Sequence, residues 1–298
     1  MLIKYGITDN SIDVTNICLT ILLKNNIITI PSGENNRTTY FTDPLYGILK
    51  KIFVIIDDKT YEYEYNYIIK INILDKTITT ISDEDIDNKL KDIQSKLKIF
   101  HGNFTEELPE QRMTVRYLTG NEKVLELGSN IGRNSLIIAH IIENNNNFVT
   151  LESDIKNIKQ LTENRDINNF NFHIENCALS KRMLIQKGWN TFPSNKLLEG
   201  HTLVNTITFN ELQEKYNIKF DTLILDCEGA FYYILLDMPE ILENINLIIV
   251  ENDYDNMTKK IYVDYLLKKN NFYRDYVERG GWGWGCPCSN NFFEVWKK

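Results

Sequence analysis

From Glu122 onward, short apolar runs alternate with amphipathic stretches, and this alternation constrains the fold more than any other feature of the chain. Val124–Gly128, Phe148–Ser153, Phe170–Asn176, Asp221–Cys227 and Asn246–Asn252 are largely apolar, as strands buried on both faces are. Helical stretches lie between them, notably Asn134–Glu143, Ile155–Ile167 and Lys259–Lys269, and Tyr273–Glu278 and Phe292–Trp296 supply two closing strands. Strand–helix alternation builds right-handed βαβ units, so the expected class is α/β, a parallel sheet covered on both faces. Ligands on such sheets bind beyond the carboxyl ends of the strands. The residues at those ends therefore carry the functional reading.

The first of them is Val124-Leu-Glu-Leu-Gly-Ser-Asn-Ile-Gly132, which runs out of a strand into a helix. Gly128 and Gly132 let the backbone pass close to a ligand, and the helix start offers free amides. A pyrophosphate-binding loop needs G-x-G-x-x-G, whereas the third position here is Asn130. Glu126 sits at the end of the first strand. Glu152 ends the second, 24 residues after Gly128, where a carboxylate can accept from both hydroxyls of a ribose. A glycine turn with acids at both strand ends, and no lysine to cradle a triphosphate, suits S-adenosylmethionine.

The fourth strand ends in Thr222-Leu-Ile-Leu-Asp-Cys-Glu-Gly-Ala230 and the fifth in Val250-Glu-Asn-Asp253. With these the chain resembles the FkbM family of S-adenosylmethionine-dependent methyltransferases, from Pro109 to the C-terminus, about two thirds of the sequence. The resemblance rests on Glu126–Gly132, Glu152, Asn164–Asn168, Glu175–Ser180, Thr206–Leu212 and Asp226–Ala230. It implies the class I, Rossmann-like sheet of seven strands with an antiparallel last hairpin. It also implies a cofactor site at Glu126, Gly128, Ser129, Asn130, Gly132, Glu152, Asn176, Ala178 and Asp226, and methyl transfer to hydroxyls of sugars or other small or glycan-linked acceptors. The family usually has a second glutamate directly after the alanine of this motif, and Phe231 stands there instead.

A sugar hydroxyl is a poor nucleophile at neutral pH, so a positioned base should help. Asp226 is the first candidate; its alternative role is to fix the loop or contact the methionine amine. Glu228 is the second candidate, or else it caps the following helix. His201, in the insertion Lys181–Asn210 between the third and fourth strands, is the rival base. Trp282 and Trp284, in Gly280-Gly-Trp-Gly-Trp-Gly285, offer flat faces to sugar CH groups, and Glu251 is a candidate acceptor contact. Asp226, Glu228, Glu251 and Asp253 could together hold Mg²⁺, but no histidine ligand or metal spacing accompanies them, and the reading taken is no metal. Cys286-Pro-Cys288 lacks the second pair that zinc needs and reads as free thiols.

The first 80 residues read as a small, mainly β module, punctuated by turns at Pro31-Ser32-Gly33 and Asp43-Pro44. Tyr61, Tyr63, Tyr65 and Tyr67 alternate with polar residues as one half-buried strand would, a stripe read as core in preference to a sugar-stacking face. Residues 81–104 read as a connecting helix, started by Ser82-Asp83-Glu84-Asp85 and striped by Ile86, Leu90, Ile93, Leu97 and Phe100. A homodimer contact is the alternative use of that stripe. Residues 105–298 form the catalytic part.

Charge narrows the acceptor. The whole chain carries a net −8, and Thr105–Lys298 holds 21 basic against 27 acidic residues, so extended nucleic-acid binding is not expected. A nucleic-acid methyltransferase is therefore a rival reading, as is a non-catalytic glycan-binding protein on the same scaffold. No apolar run approaches the roughly 20 residues that span a bilayer. Five scattered cysteines and an N-terminus without a signal-peptide core point to a cytoplasmic setting.

Overall fold

The computed structural model describes residues 1–188, 190–283 and 285–298, and the chain divides into two compact units, Met1–Asn88 and Lys89–Lys298. The first unit holds two four-stranded antiparallel sheets. One orders Asn10–Asp13, Leu2–Ile7, Lys51–Ile56 and Lys59–Tyr63; the other orders Leu23–Lys24, Ile27–Ile30, Tyr67–Asn72 and Ile78–Ser82. Alternate side chains of these strands, Ile3, Tyr5, Ile28, Ile30, Ile52, Val54, Ile69 and Ile71, make its core. Two charged side chains are buried with them. The Arg37 guanidinium donates to the carbonyls of Pro31 (3.0 Å) and Tyr67 (2.8 Å), and Lys50 pairs with Glu34 (2.7 Å) and Asp43 (2.8 Å).

The tyrosine alternation does not form one strand. Lys59–Tyr63 and Tyr67–Asn72 belong to different sheets, and Tyr61 and Tyr65 are 41% and 38% exposed. Between them the Tyr65 carbonyl accepts from Gly33 N–H at 2.7 Å, which draws the chain away from the first sheet. Only Tyr63 and Tyr67 pack on the core. The helix Asp83–Lys96 begins as its sequence predicts, with Ser82 and Asp85 capping each other reciprocally, and buries Ile86, Leu90 and Ile93. It stops at Lys96, so Leu97 lies beyond its end and Phe100 is 68% exposed.

The second unit opens with helix α1 (Leu108–Tyr117) and continues through β1 (Val124–Leu127), α2 (Arg133–Ile141), β2 (Phe148–Leu151), α3 (Ile155–Asp166) and β3 (His173–Glu175). An insertion supplies β4 (Leu184–Lys187), β5 (Asn190–Pro193) and β6 (Thr202–Val204). The main series resumes with α4 (Phe209–Tyr216), β7 (Thr222–Leu225), α5 (Phe231–Asp237), β8 (Leu247–Glu251), α6 (Met257–Lys269), β9 (Tyr273–Glu278) and β10 (Phe293–Lys297).

Seven strands form one sheet in the order β3-β2-β1-β7-β8-β10-β9. The first five run parallel and the β9–β10 hairpin is antiparallel. This is the Rossmann-like order of class I methyltransferases, and the unit has that fold. Every residue of β1, β2 and β7 is buried, which is why these strands read as continuous apolar runs. Ile138, Leu161, Leu212, Ile234 and Leu267 close the core from the helices. The chain leaves β1 toward β2 and β3, then returns to place β7 on its other side. The crevice at such a reversal, beyond the strand ends, is where this topology binds ligands. Gly128 and Asp226 flank it.

Candidate active site

Gly128 follows β1 with φ +84°, a left-handed conformation that favours glycine. Its N–H donates to the Leu151 carbonyl at 2.9 Å, which ties the loop to the end of β2. Glu126, 3% exposed, accepts from the hydroxyls of Ser135 (2.5 Å) and Thr150 (2.7 Å), and burial pushes its carboxyl up to about 7 against those two bonds. Glu126 thus braces β1, β2 and α2 from beneath the loop.

Glu152 stands at the end of β2. One of its oxygens accepts from the Asn130 N–H (2.8 Å) and the other from the Asp154 N–H (2.8 Å), leaving further lone pairs on both. Burial raises its carboxyl despite these amides. Asn176 does not face the ligand space. It donates to the Glu152 and Ser153 carbonyls at 3.1 Å and holds that turn in place.

The segment before α1 docks on the glycine loop. Glu107 accepts from Asn130 Nδ2 (3.0 Å) and pairs with Arg133 (2.8 Å), whose guanidinium also meets Glu106 and the Asn103 carbonyl (3.0 Å). Burial holds Glu107 up at about 7 even beside that arginine.

Across the crevice, the turn after β7 is Asp226-Cys-Glu-Gly-Ala230. Asp226 is raised well above the usual carboxylate range by burial, then by Glu110, Glu107, Glu228 and Asp253. Glu228, at φ +52°, is pushed to about 8 by burial and its hydrogen bond to Asp253. Glu251, at the end of β8, is driven far up by burial, by the Glu110 carboxyl and by Asp226.

These groups open onto a cavity of about 540 Å³, within the range of small-molecule sites. Gly128, Asn130, Glu152, Ala178, Asp226, Glu228 and Glu251 line it, bringing together the glycine loop and four strand ends. Among the described residues that line it, six are acids (Glu107, Glu152, Asp154, Asp226, Glu228 and Glu251) and only Lys156 is basic. The insertion supplies a wall that sequence reading did not assign: Leu184, Gln186, Gly188, Thr191 and Pro193. Tyr233 and Ile234 of α5 complete the outer side.

Other residues singled out in the sequence lie elsewhere. Ser129 and Glu126 line a smaller void behind the cavity, and Gly132 caps α2. His201 sits outside the lining, with Nδ1 3.0 Å from the Glu199 carbonyl and its ring against Phe192. Trp282 is 55% exposed and touches Phe292 edge-on, again outside the lining. Trp284 lies outside the described residues. The five cysteines are free.

No protein-family model matches the chain, and no curated protein matches it. Solved structures resemble it in part. An O-methyltransferase from Bacillus cereus in complex with SAH aligns with TM-score 0.41 and 13% identity over 72% of this chain and 90% of its own. A ribosomal protein L11 methylase from Lactobacillus delbrueckii subsp. bulgaricus aligns at 0.38 and 13%, over 66% and 79%. An rRNA methylase from Streptococcus thermophilus aligns at 0.39 and 8%, over 64% and 94%. Likeness at this level names no acceptor and no residue role, and the methyltransferase fold follows from the strand order.

Proposed function

We propose that the chain is an S-adenosylmethionine-dependent O-methyltransferase of FkbM type, working in the cytoplasm on a hydroxyl of a sugar or glycan. The observation that carries this is the acid-walled cavity at the β1/β7 reversal, with Glu152 held by two backbone amides at the ribose position. An acidic wall suits a ligand carrying a sulfonium and an ammonium, whose positive charges favour the ionised form of these carboxyls. Once bound, the cofactor supplies an electrophilic methyl group. Glu152 would accept from the ribose hydroxyls, and the Gly128–Asn130 turn would lie against the ligand. Asp226 and Glu228 orient the acceptor hydroxyl from the β7 side. Asp226 would hold the acceptor hydroxyl and take its proton as the methyl group is transferred, a role that needs the ionised carboxylate and so a positive charge beside it, which the sulfonium would supply. The neutral, apolar hairpin residues Pro193 and Leu184 exclude water from that side.

Calorimetry with S-adenosylmethionine and S-adenosylhomocysteine tests the cofactor reading: saturable, one-to-one binding is expected, and its absence would overturn it. A labelled-methyl screen over free glycans, nucleotide sugars and RNA then tests the acceptor, with label on RNA alone overturning the glycan assignment.

A further inference from the structure

Behind the cavity, three carboxylates from separate elements converge. Glu110 reaches in from the first turn of α1, Asp226 from the end of β7 and Glu251 from the end of β8, with one oxygen of each lying within 4.8 Å of the others. We propose that Glu110, Asp226 and Glu251 form a binding site for one oxygen-seeking divalent cation.

Two further observations point to a ligand there. The Ser129 side chain is 4% exposed, yet its hydroxyl has no hydrogen-bond partner, and Ser129 lines the same small void of about 10 Å³ as the three acids. Glu110 Oε2 is also buried and unpartnered. A void of this size holds about one water or ion. A buried hydroxyl and a buried carboxylate oxygen without partners each cost on the order of 1–3 kcal/mol, so what fills the void should meet both. One cation in the void, held by the three carboxylates with the Ser129 hydroxyl oxygen beside it, would meet both at once.

The donor set selects the cation. All three side-chain ligands are carboxylate oxygens, with neither sulfur nor imidazole, which suits Mg²⁺, Mn²⁺ or Ca²⁺. Oxygens on opposite sides of such an ion stand roughly 4–5 Å apart. The electrostatics agree, since the charged groups acting most on Asp226 are all acids: Glu110, Glu107, Glu228 and Asp253. Carboxylates this close repel one another unless a positive charge joins them. Asp226 and Glu251 also line the main cavity, so a cation bound to them would sit beside the acceptor space.

The test uses the full chain, stripped with EDTA and dialysed free of chelator, without cofactor. Titration with Mn²⁺, followed by calorimetry and by loss of the free-ion EPR signal, should show one saturable site and a raised Tm. Glu110→Gln and Glu251→Gln should each weaken binding at least tenfold, whereas Glu214→Gln, on the exposed side of α4, should bind as wild type does. Absence of saturable wild-type binding below 10 mM for Mn²⁺, Mg²⁺ and Ca²⁺ overturns the site, as does unchanged affinity in Glu110→Gln. Should a glutamine variant fail to fold, Ser129→Ala takes its place, and unchanged Mn²⁺ affinity and stoichiometry in a folded Ser129→Ala would likewise overturn the site. Cofactor binding is measured separately, so the cation site and the methyl-transfer reading fail independently.

Discussion

Gly128 lies directly against the backbone of Asp226: a Cβ built on Gly128 would stand 1.6 Å from the Asp226 carbonyl oxygen. That contact is with backbone, which cannot swing aside, and the φ of +84° adds its own penalty for any L side chain. The ends of β1 and β7 are therefore spaced by the missing side chain. Gly128→Ala should destabilise the second unit by about 2 kcal/mol or more, measured by urea unfolding. Calorimetry should show at least a tenfold loss of cofactor affinity. A variant that keeps wild-type stability and affinity would mean the two strand ends part without cost.

Glu152→Ala removes the carboxylate proposed to hold the ribose and also strips the acceptors from the Asn130 and Asp154 amides. Cofactor affinity should fall by about 10²-fold, the scale of two charge-assisted hydrogen bonds. Glu152→Gln keeps one carbonyl oxygen and should recover part of the loss. Because burial raises the Glu152 carboxyl, affinity should begin to decline at a higher pH than an ordinary glutamate would impose as the solution is acidified. Calorimetry across a pH series reads the slope.

The strands β1, β2 and β7 were legible because each is buried on both faces, which leaves an unbroken apolar run, and the place of Glu152 at a strand end because its distance from the glycine loop is fixed by one βα unit. The antiparallel insertion was not legible. In β4 only Leu184 and Ile185 are buried, and β5 is Asn-Thr-Phe-Pro, so neither segment carries a usable period. The tyrosine alternation misled for a related reason: a two-residue period says nothing about a change of sheet in mid-run, and here the chain turns between Glu64 and Tyr67, where Tyr65 and Asn66 bond to Gly33 and Asp83 instead. The meeting of Glu110 with Asp226 and Glu251 could not be read at all, because more than a hundred residues separate α1 from β7 and only the fold brings them together.

Glu294 of β10 is 0% exposed and meets Lys260 (2.8 Å), Arg274 (2.9 Å) and the Trp296 indole N–H (2.9 Å). These partners hold its carboxyl below the usual range although burial alone would raise it. A depressed folded-state value means the stabilisation is present above the unfolded glutamate pKa and is lost as pH falls through the folded one. Glu294→Gln should cost about 2 kcal/mol at pH 7, since buried Lys260 is then left with Asp264, and Arg274 and the Trp296 indole lose a charged acceptor. The gap to wild type should begin to narrow as the pH falls below the unfolded glutamate value of about 4.3, and close as it passes the lower folded one. Denaturant unfolding from pH 3 to 8 measures both limbs, and a gap constant with pH would show that the pair contributes only packing.

Asp226→Asn separates catalysis from binding. The amide keeps the shape of the side chain and its place at the end of β7, so cofactor affinity should change by less than about threefold. It cannot receive the proton of the acceptor hydroxyl, and kcat should fall by about 10²-fold or more, the contribution of a positioned base. KM for the acceptor should move far less than kcat, because asparagine can still hydrogen-bond a hydroxyl. Equal turnover in the two proteins would remove Asp226 from the proton-transfer role and pass it to Glu228, the other acid on that turn facing the cavity. The matching Glu228→Gln variant should then show the loss, measured by labelled-methyl incorporation into the same acceptor.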